Sequence, residues 1–110
     1  MSYKSECRKI VRKMVRYAKA NDMLISIVDP WESRLNNYSQ KESDIVESAF
    51  AMDEVRIDFH TTNNKYLGFV FIVHEFDGDS EELIADYSAN DITESIVENA
   101  TTKQEQGFKS

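Results

Sequence analysis

Apolar side chains recur at helical spacing in three segments of the chain. In residues 3–20 they fall at intervals of three and four, and the basic side chains occupy the opposite face. Residues 43–52 repeat the pattern, with Ser43 as the predicted N-cap. A third helix is predicted to open at Asn90-Asp91, where Asp91 and Glu94 have the spacing of a capping box. The apolar stripe of the first helix consists of Tyr3, Cys7, Ile10, Met14 and Tyr17, widened by Val11, Val15 and Ala18.

Two segments between these helices have the patterns of β-strands. Residues 23–28 are a short apolar run rich in β-branched side chains, which predicts a strand buried on both faces. Residues 54–61 alternate strictly between apolar and polar side chains, which predicts a half-buried strand. Its apolar side chains, Val55, Ile57 and Phe59, are expected to face the helices.

Two more predicted strands follow directly along the chain. Residues 66–76 are apolar on both faces, so this strand should lie inside the sheet. Gly68 within it predicts a bulge or a close backbone approach. Residues 83–88 complete the sheet. Because the connections between the last three strands are short, these strands should form an antiparallel meander.

The element order is therefore α-β-α-β-β-β-α, which predicts an α+β fold. Its antiparallel sheet consists of the three-stranded meander plus one further strand, and about three helices pack on it. Residues 1–101 are expected to form a single domain, and residues 102–110 a flexible C-terminal tail.

Composition agrees with a folded body in a reducing compartment. Hydrophobic residues make up 41% of the 110 residues, enough to bury a core. The single cysteine, Cys7, cannot pair within the chain, which favours a cytoplasmic setting and a buried core thiol. The longest apolar run, residues 66–73, is far shorter than the roughly 20 residues of a membrane-spanning helix. We therefore expect no membrane association.

Charge is distributed unevenly along the chain. The net charge is −7, yet residues 1–20 hold seven basic side chains against one acid, a net +6. The remaining ninety residues therefore carry −13. A basic helix attached to an acidic body is the main global feature, and acidic surfaces can occupy basic clefts by imitating the phosphates of nucleic acid.

Our leading hypothesis is a non-enzymatic protein-interaction module that binds or inhibits a partner protein through its acidic surface. The candidate contact residues are Trp31, Asp77, Asp79, Glu81 and Glu82. The four acids begin like a calcium loop, but Glu82 stands where the loop needs glycine and Ser88 where it needs glutamate. We therefore interpret them as a solvated hairpin tip.

Trp31, Leu35 and Tyr38 surround the connection after the first strand, where Asp29 is predicted to cap a short helical turn. Large apolar side chains in a polar connection are typical of a recognition surface. They are equally typical of a lid that folds back on the core, and both interpretations stay open.

A second hypothesis is a nucleic-acid-associated protein that presents the basic helix through Arg8, Arg12 and Arg16. The helix lacks interleaved exposed aromatic residues and a glycine-rich phosphate loop. The alternative interpretation is that its basic face neutralises the acidic body, within the molecule or across a dimer. A homodimer through the first helix is a related prediction, because the stripe is broad for a single sheet face to cover.

A third hypothesis is a small enzyme or ligand-binding domain that uses Asp58, His60, His74 and Asp86. Histidines on adjacent predicted strands could approach one another, but a metal site needs three or more convergent ligands. We predict no catalytic, cofactor-binding or metal-binding residue, and no cofactor.

Residues 68–75, 82–88 and 90–94 are predicted to form a hairpin that ends in Asp86-Tyr87-Ser88 and leads into a terminal helix. In these residues the chain resembles small α+β accessory proteins carried by tailed bacteriophages. It implies a phage or mobile-element origin and action in the cytoplasm of a bacterial host. It brings no catalytic residues to this chain.

Overall fold

The fold has the predicted order of elements. The computed structural model describes residues 3–36, 39–73 and 83–101, and for residues 3–5 the backbone alone. Its elements are α1 (Tyr3–Ala20), β1 (Met23–Val28), α2 (Glu42–Ala49), β2 (Glu54–Thr61), β3 (Tyr66–Val73), β4 (Ile84–Tyr87) and α3 (Asp91–Thr101). The α+β class is therefore confirmed. The predicted tail, residues 102–110, and the end of the predicted strand 66–76 lie outside the described ranges.

The sheet is antiparallel throughout, with strand order β1-β2-β3-β4. The meander of β2, β3 and β4 and the internal position of β3 are confirmed. β1 is the further strand and pairs with β2 at one edge of the sheet. Although β1 is an edge strand, Ser26 and Val28 on one face and Ile25 and Ile27 on the other are buried, as predicted.

Two side-chain amides cover the outer edge of β1. Asn36 accepts a hydrogen bond from the Ile27 N–H at 3.1 Å and donates to the Ile25 carbonyl at 3.1 Å. Gln40 accepts from the Ile25 N–H at 2.9 Å and donates to the same carbonyl at 2.8 Å. The Leu35 N–H donates a hydrogen bond to the Ile27 carbonyl at 2.7 Å. These bonds occupy the backbone groups that a further strand would need, so this edge is closed.

The core lies between the sheet and the three helices. Val55, Ile57 and Phe59 are buried against the helices, as predicted, and so is the Cys7 thiol. Among the described residues, no helix combines the length and apolar character that crossing a membrane requires.

The described part of the α1 stripe is covered within one chain, and the side chain of Tyr3 lies outside the described residues. Its buried centre is Cys7, Val11, Met14, Val15 and Ala18, while Ile10 and Tyr17 are partly buried at its flank. The apolar surface that suggested a dimer is thus largely used inside the monomer, and a dimer through α1 stays a prediction.

The caps of two helices differ from the prediction. α2 spans Glu42–Ala49 rather than residues 43–52, and its N-cap is Lys41, which makes no side-chain cap hydrogen bond. Ser43 is therefore not the cap. α3 is capped by Asn90, whose Oδ1 accepts the Thr93 N–H at 2.8 Å, so the predicted capping box of Asp91 and Glu94 is wrong.

Gly68 joins β3 to the start of α3. The register of β2 and β3 shifts beside it, and its φ is +157°, so both the predicted bulge and the predicted close approach are present. A Cβ at this position would collide with Oγ1 of Thr93, and it would lie 3.2 Å from Nδ2 of Asn90. The missing side chain therefore lets the first turn of α3 lie directly on the strand.

Candidate protein interaction site

The strand register brings several chain segments to one end of the sheet. Val28 lies opposite Arg56, Arg56 opposite Phe71, and Phe71 opposite Asp86. The loop of residues 29–34 leaves the sheet at this end. We call this end, formed by residues 29–34, Glu54, Arg56 and Phe71, the Trp31 end.

The connection that carries the other candidate contact residues starts and finishes at the same end of the sheet. Val73 pairs with Glu54 at the start of β2, and Leu83 accepts a hydrogen bond from the Val73 N–H. Asp77, Asp79, Glu81 and Glu82 themselves lie outside the described residues.

The three described helices all pack on one face of the sheet, and we call the other face the helix-free face. Side chains alternate along a strand, so the residues next to the buried Ile57 and Val70 point away from the core. Asp58 lies on this helix-free face between its neighbours Ser26 and Phe69. Phe69 and Phe71 are half-buried here. The Trp31 end therefore borders a partly aromatic surface.

Asp29 holds the loop of residues 29–34 in a tight turn. Its Oδ1 accepts the N–H of Trp31 at 2.9 Å and the N–H of Ser33 at 2.8 Å. Its own N–H donates to the Ser33 carbonyl at 3.0 Å. The carboxylate thus caps an Asx turn rather than the predicted helical turn. The turn presents Trp31 at its tip, with 73% of the residue exposed.

The connection after β1 combines both interpretations that the sequence left open. Leu35 packs against the core as a lid would, whereas the Trp31 side chain faces solvent. Tyr38 lies outside the described residues. The pattern of large apolar residues could not separate these two outcomes, because both need the same residue types.

Arg56 links the loop to the centre of the helix-free face. Its guanidinium donates to Asp58 at 2.8 and 3.1 Å and to Glu32 at 3.2 and 3.2 Å. The hydrogen bonds to Asp58 raise the pKa of Arg56 above its ordinary value, and those to Glu32 add to this against the opposing effect of burial. Asp58 is only 6% exposed, and its ion pair with Arg56 compensates the buried charge.

A pocket of about 260 Å³ opens at the Trp31 end. Its lining residues are Asp29, Pro30, Glu32, Glu54, Arg56 and Phe71. Three carboxylates and one guanidinium therefore line the pocket, and that guanidinium also pairs with Asp58. The local charge is negative, so the pocket attracts cations.

A second acidic surface lies between β4 and α3. A groove of about 440 Å³ is lined by Tyr87, Asp91, Glu94, Ser95, Val97, Glu98 and Thr101. Sequence reasoning assigned Asp91 and Glu94 to capping and so missed this surface. Their spacing with Glu98, three and four residues apart on one helix face, was the available signal.

The three arginines of the second hypothesis have partners within the chain. Arg16 donates to both carboxylate oxygens of Glu42, at 2.8 and 3.1 Å, and Arg12 lies 3.9 Å from the same carboxylate. The Arg8 guanidinium lies over the ring of Phe50, 5.1 Å from its centre. These contacts support the interpretation that the basic face neutralises part of the acidic body within the molecule.

The described residues of the third hypothesis, Asp58, His60 and Asp86, do not converge on one point. Asp58 and His60 share a face of β2, but Asp86 is on β4, with β3 between them. Asp86 is therefore two strand spacings, about 10 Å, from the strand that carries Asp58 and His60. His74 lies outside the described ranges. Within those ranges, no group of three or more His, Cys, Asp or Glu residues could hold a metal ion.

Comparisons of this chain with protein-family models, with curated proteins and with solved structures find no match. The resemblance to phage accessory proteins therefore stays a prediction. Any functional conclusion depends on the geometry of this chain alone, and the Trp31 end is its most distinctive surface.

Proposed function

We propose that this chain is a non-enzymatic protein-interaction module that binds a basic partner protein through the Trp31 end. The observation that carries the proposal is the 73% exposure of Trp31 on a hydrogen-bonded turn. Tryptophan supplies a large contact area for little loss of side-chain entropy, and it is enriched among the residues that dominate binding energy. A tight turn keeps it ready for contact, which lowers the cost of binding.

The charge around Trp31 indicates the chemistry of the partner. Glu32, Glu54 and Asp29 line the pocket at the Trp31 end, where Arg34 and Arg56 are the basic residues. With the buried Asp58, the described side chains at this end carry four negative and two positive charges, a net −2. Such a surface attracts a basic protein surface and repels nucleic acid. If the chain is a phage accessory protein, as the resemblance implies, the partner is a bacterial host protein whose basic cleft is occupied and inhibited.

A site-specific crosslinking experiment tests this proposal. A photoreactive phenylalanine analogue replaces Trp31 in cells that express the chain naturally, and in a control it replaces Asn63. Asn63 is exposed in the turn between β2 and β3, at the opposite end of the sheet. We expect a discrete adduct with a basic protein from position 31 and none from position 63. Equal adducts from both positions, or none from position 31, would contradict the proposal.

The nucleic-acid hypothesis is less favoured by the geometry. Arg12 and Arg16 both lie beside the Glu42 carboxylate, which offsets part of the positive charge that they could offer to a phosphate. A gel shift with the whole chain checks this: we expect no retarded DNA or RNA band at moderate salt. A band that Arg12→Ala and Arg16→Ala abolish would favour the nucleic-acid hypothesis instead.

A further inference from the structure

We infer that the pocket at the Trp31 end binds one arginine side chain of the partner protein, stacked on Phe71 and paired with Glu54. This inference rests on the proposed function, because it names the chemical group that the interaction surface recognises. It rests on the pocket's size, its charge and its aromatic wall together.

The size of the pocket suits a single side chain. Its volume of about 260 Å³ lies below the range of roughly 300–1,000 Å³ that holds drug-sized ligands and cofactors. The pocket opens on the helix-free face beside the exposed Trp31. A side chain that projects from a partner bound over Trp31 could therefore enter it.

Glu54 is the lining carboxylate left to pair with an incoming cation. Glu32 is bound to Arg56, and Asp29 holds the amides of its own loop. Glu54 is exposed at the start of β2, and within the described part of the chain it forms no ion pair. Its carboxylate is therefore available for a bidentate pair with a guanidinium.

Arg56 does not exclude a second guanidinium from this pocket. Its charge is shared by two carboxylates, Asp58 and Glu32, so the three groups together carry a net negative charge. An incoming cation beside Glu32 therefore meets an acidic network with a surplus carboxylate.

Phe71 selects arginine over lysine. Its side chain lines the pocket and is half-buried on the helix-free face. A planar guanidinium can stack on an aromatic ring while it pairs with a carboxylate at its edge, whereas an ammonium is a compact, strongly hydrated charge. The combination of Phe71 with Glu54 therefore fits arginine best.

The single tryptophan of the chain gives a direct readout, because its fluorescence reports on Trp31 alone. The probe is the peptide acetyl-Gly-Ala-Arg-Ala-Gly-amide, titrated into the full chain. Matched peptides carry citrulline, which keeps the shape and removes the charge, or lysine. We expect a saturable change in Trp31 fluorescence with the arginine peptide. The citrulline peptide should bind about tenfold more weakly and the lysine peptide about threefold more weakly.

Variants locate the effect in the pocket. Glu54→Gln should weaken binding of the arginine peptide about fivefold and leave that of the citrulline peptide unchanged. Glu47→Gln removes the same charge from an exposed position on α2 and should change neither. Equal binding of the arginine and citrulline peptides, no effect of Glu54→Gln, or no saturable response up to about 10 mM overturns the inference. Equal binding of the lysine peptide overturns the assignment to arginine.

The crosslinked partner separates this inference from the proposed function. If Trp31→Ala weakens its binding and Glu54→Gln does not, the arginine pocket is wrong and the interaction surface stands. If neither substitution weakens its binding, the proposed function fails as well.

Discussion

At the scale of single residues, the ion pair of Arg56 and Asp58 is the feature that sequence patterns described least well. Alternation along residues 54–61 assigned Asp58 to the polar face of its strand, and that assignment is right. Alternation cannot say whether that face is covered, and Asp58 is buried there beside Phe69 and Ser26. The spacing of Arg56 and Asp58, two residues apart on one face, was the signal for their pair.

Replacing Arg56 should lower the free energy of unfolding, because Asp58 stays buried without its partner. Arg56→Met removes the partner of a buried carboxylate, and because Arg56 itself is partly exposed we expect a loss of about 2–3 kcal/mol rather than more. Urea unfolding measures the loss as a lower midpoint. Lys65→Met, at an exposed turn, is the control and should change the midpoint little. Equal midpoints for the two variants would show that Asp58 is not dependent on Arg56.

Gly68 was predicted from sequence to mark a bulge or a close approach, but the neighbour could not be named. The neighbour is Thr93, whose buried Oγ1 has no hydrogen-bond partner among the described residues. We expect Gly68→Ala to cost about 3 kcal/mol, because the first turn of α3 must shift and φ is positive.

A double-mutant cycle checks the cause of this effect. Thr93→Ala removes the colliding oxygen, so it should recover at least about 1 kcal/mol of the loss in the Gly68→Ala background. Simple additivity of the two substitutions would mean that contact with Thr93 is not the reason for glycine at this position.

At the scale of elements, the sequence predicted which segments are helices and strands but not how their ends are satisfied. α2 ends at Ala49, although the pattern of apolar residues continues into Phe50 and Met52. These two side chains pack against the core without being helical, so the pattern alone overestimates the length of the helix. The polar connection after β1 gave no hint that Asn36 and Gln40 act as a substitute strand. Amides can bond a strand edge in both directions, yet only the folded chain brings them there.

The closure of β1 by Asn36 is testable. Asn36 is 4% exposed, and Asn36→Ala removes its bonds to Ile25 and Ile27, for which we expect a loss of about 2 kcal/mol. Hydrogen exchange should accelerate at the Ile27 amide, while the Ile57 amide inside the sheet keeps its protection. Asn63→Ala is the matched control at an exposed turn. Unchanged exchange at Ile27 would contradict the closure.

The ion pair between Arg16 on α1 and Glu42 on α2 predicts that the stability of the fold depends on pH. The hydrogen bond from Arg16 holds the pKa of Glu42 below its ordinary value of 4.5. The stabilisation from this pair is therefore present above pH 4.5 and is lost as the pH falls through the lowered pKa. In an NMR titration of the Glu42 carboxyl carbon, Arg16→Gln should raise the pKa, and Lys65→Gln should not. An identical titration curve in both variants would show that Arg16 is not the cause.

At the scale of the whole molecule, charge asymmetry was visible in sequence, but its arrangement was not. The basic face of α1 meets Glu42 and covers only part of the acidic charge. Carboxylates remain at the Trp31 end and along α3. Residues far apart in sequence, such as Glu32 and Arg56, form the pocket only through the register of β1 and β2, which no local pattern specifies.

If the Trp31 end binds a basic protein, as we propose, both the indole and the acidic charge should contribute to the affinity. The most direct measurement is the dissociation constant of the whole chain with its purified crosslinked partner, at low and high salt, for the natural chain and for Trp31→Ala. We expect Trp31→Ala to bind at least tenfold more weakly. We also expect that raising the salt concentration from about 50 to 300 mM weakens the natural complex about tenfold. Binding that is indifferent to both the indole and the salt would contradict it.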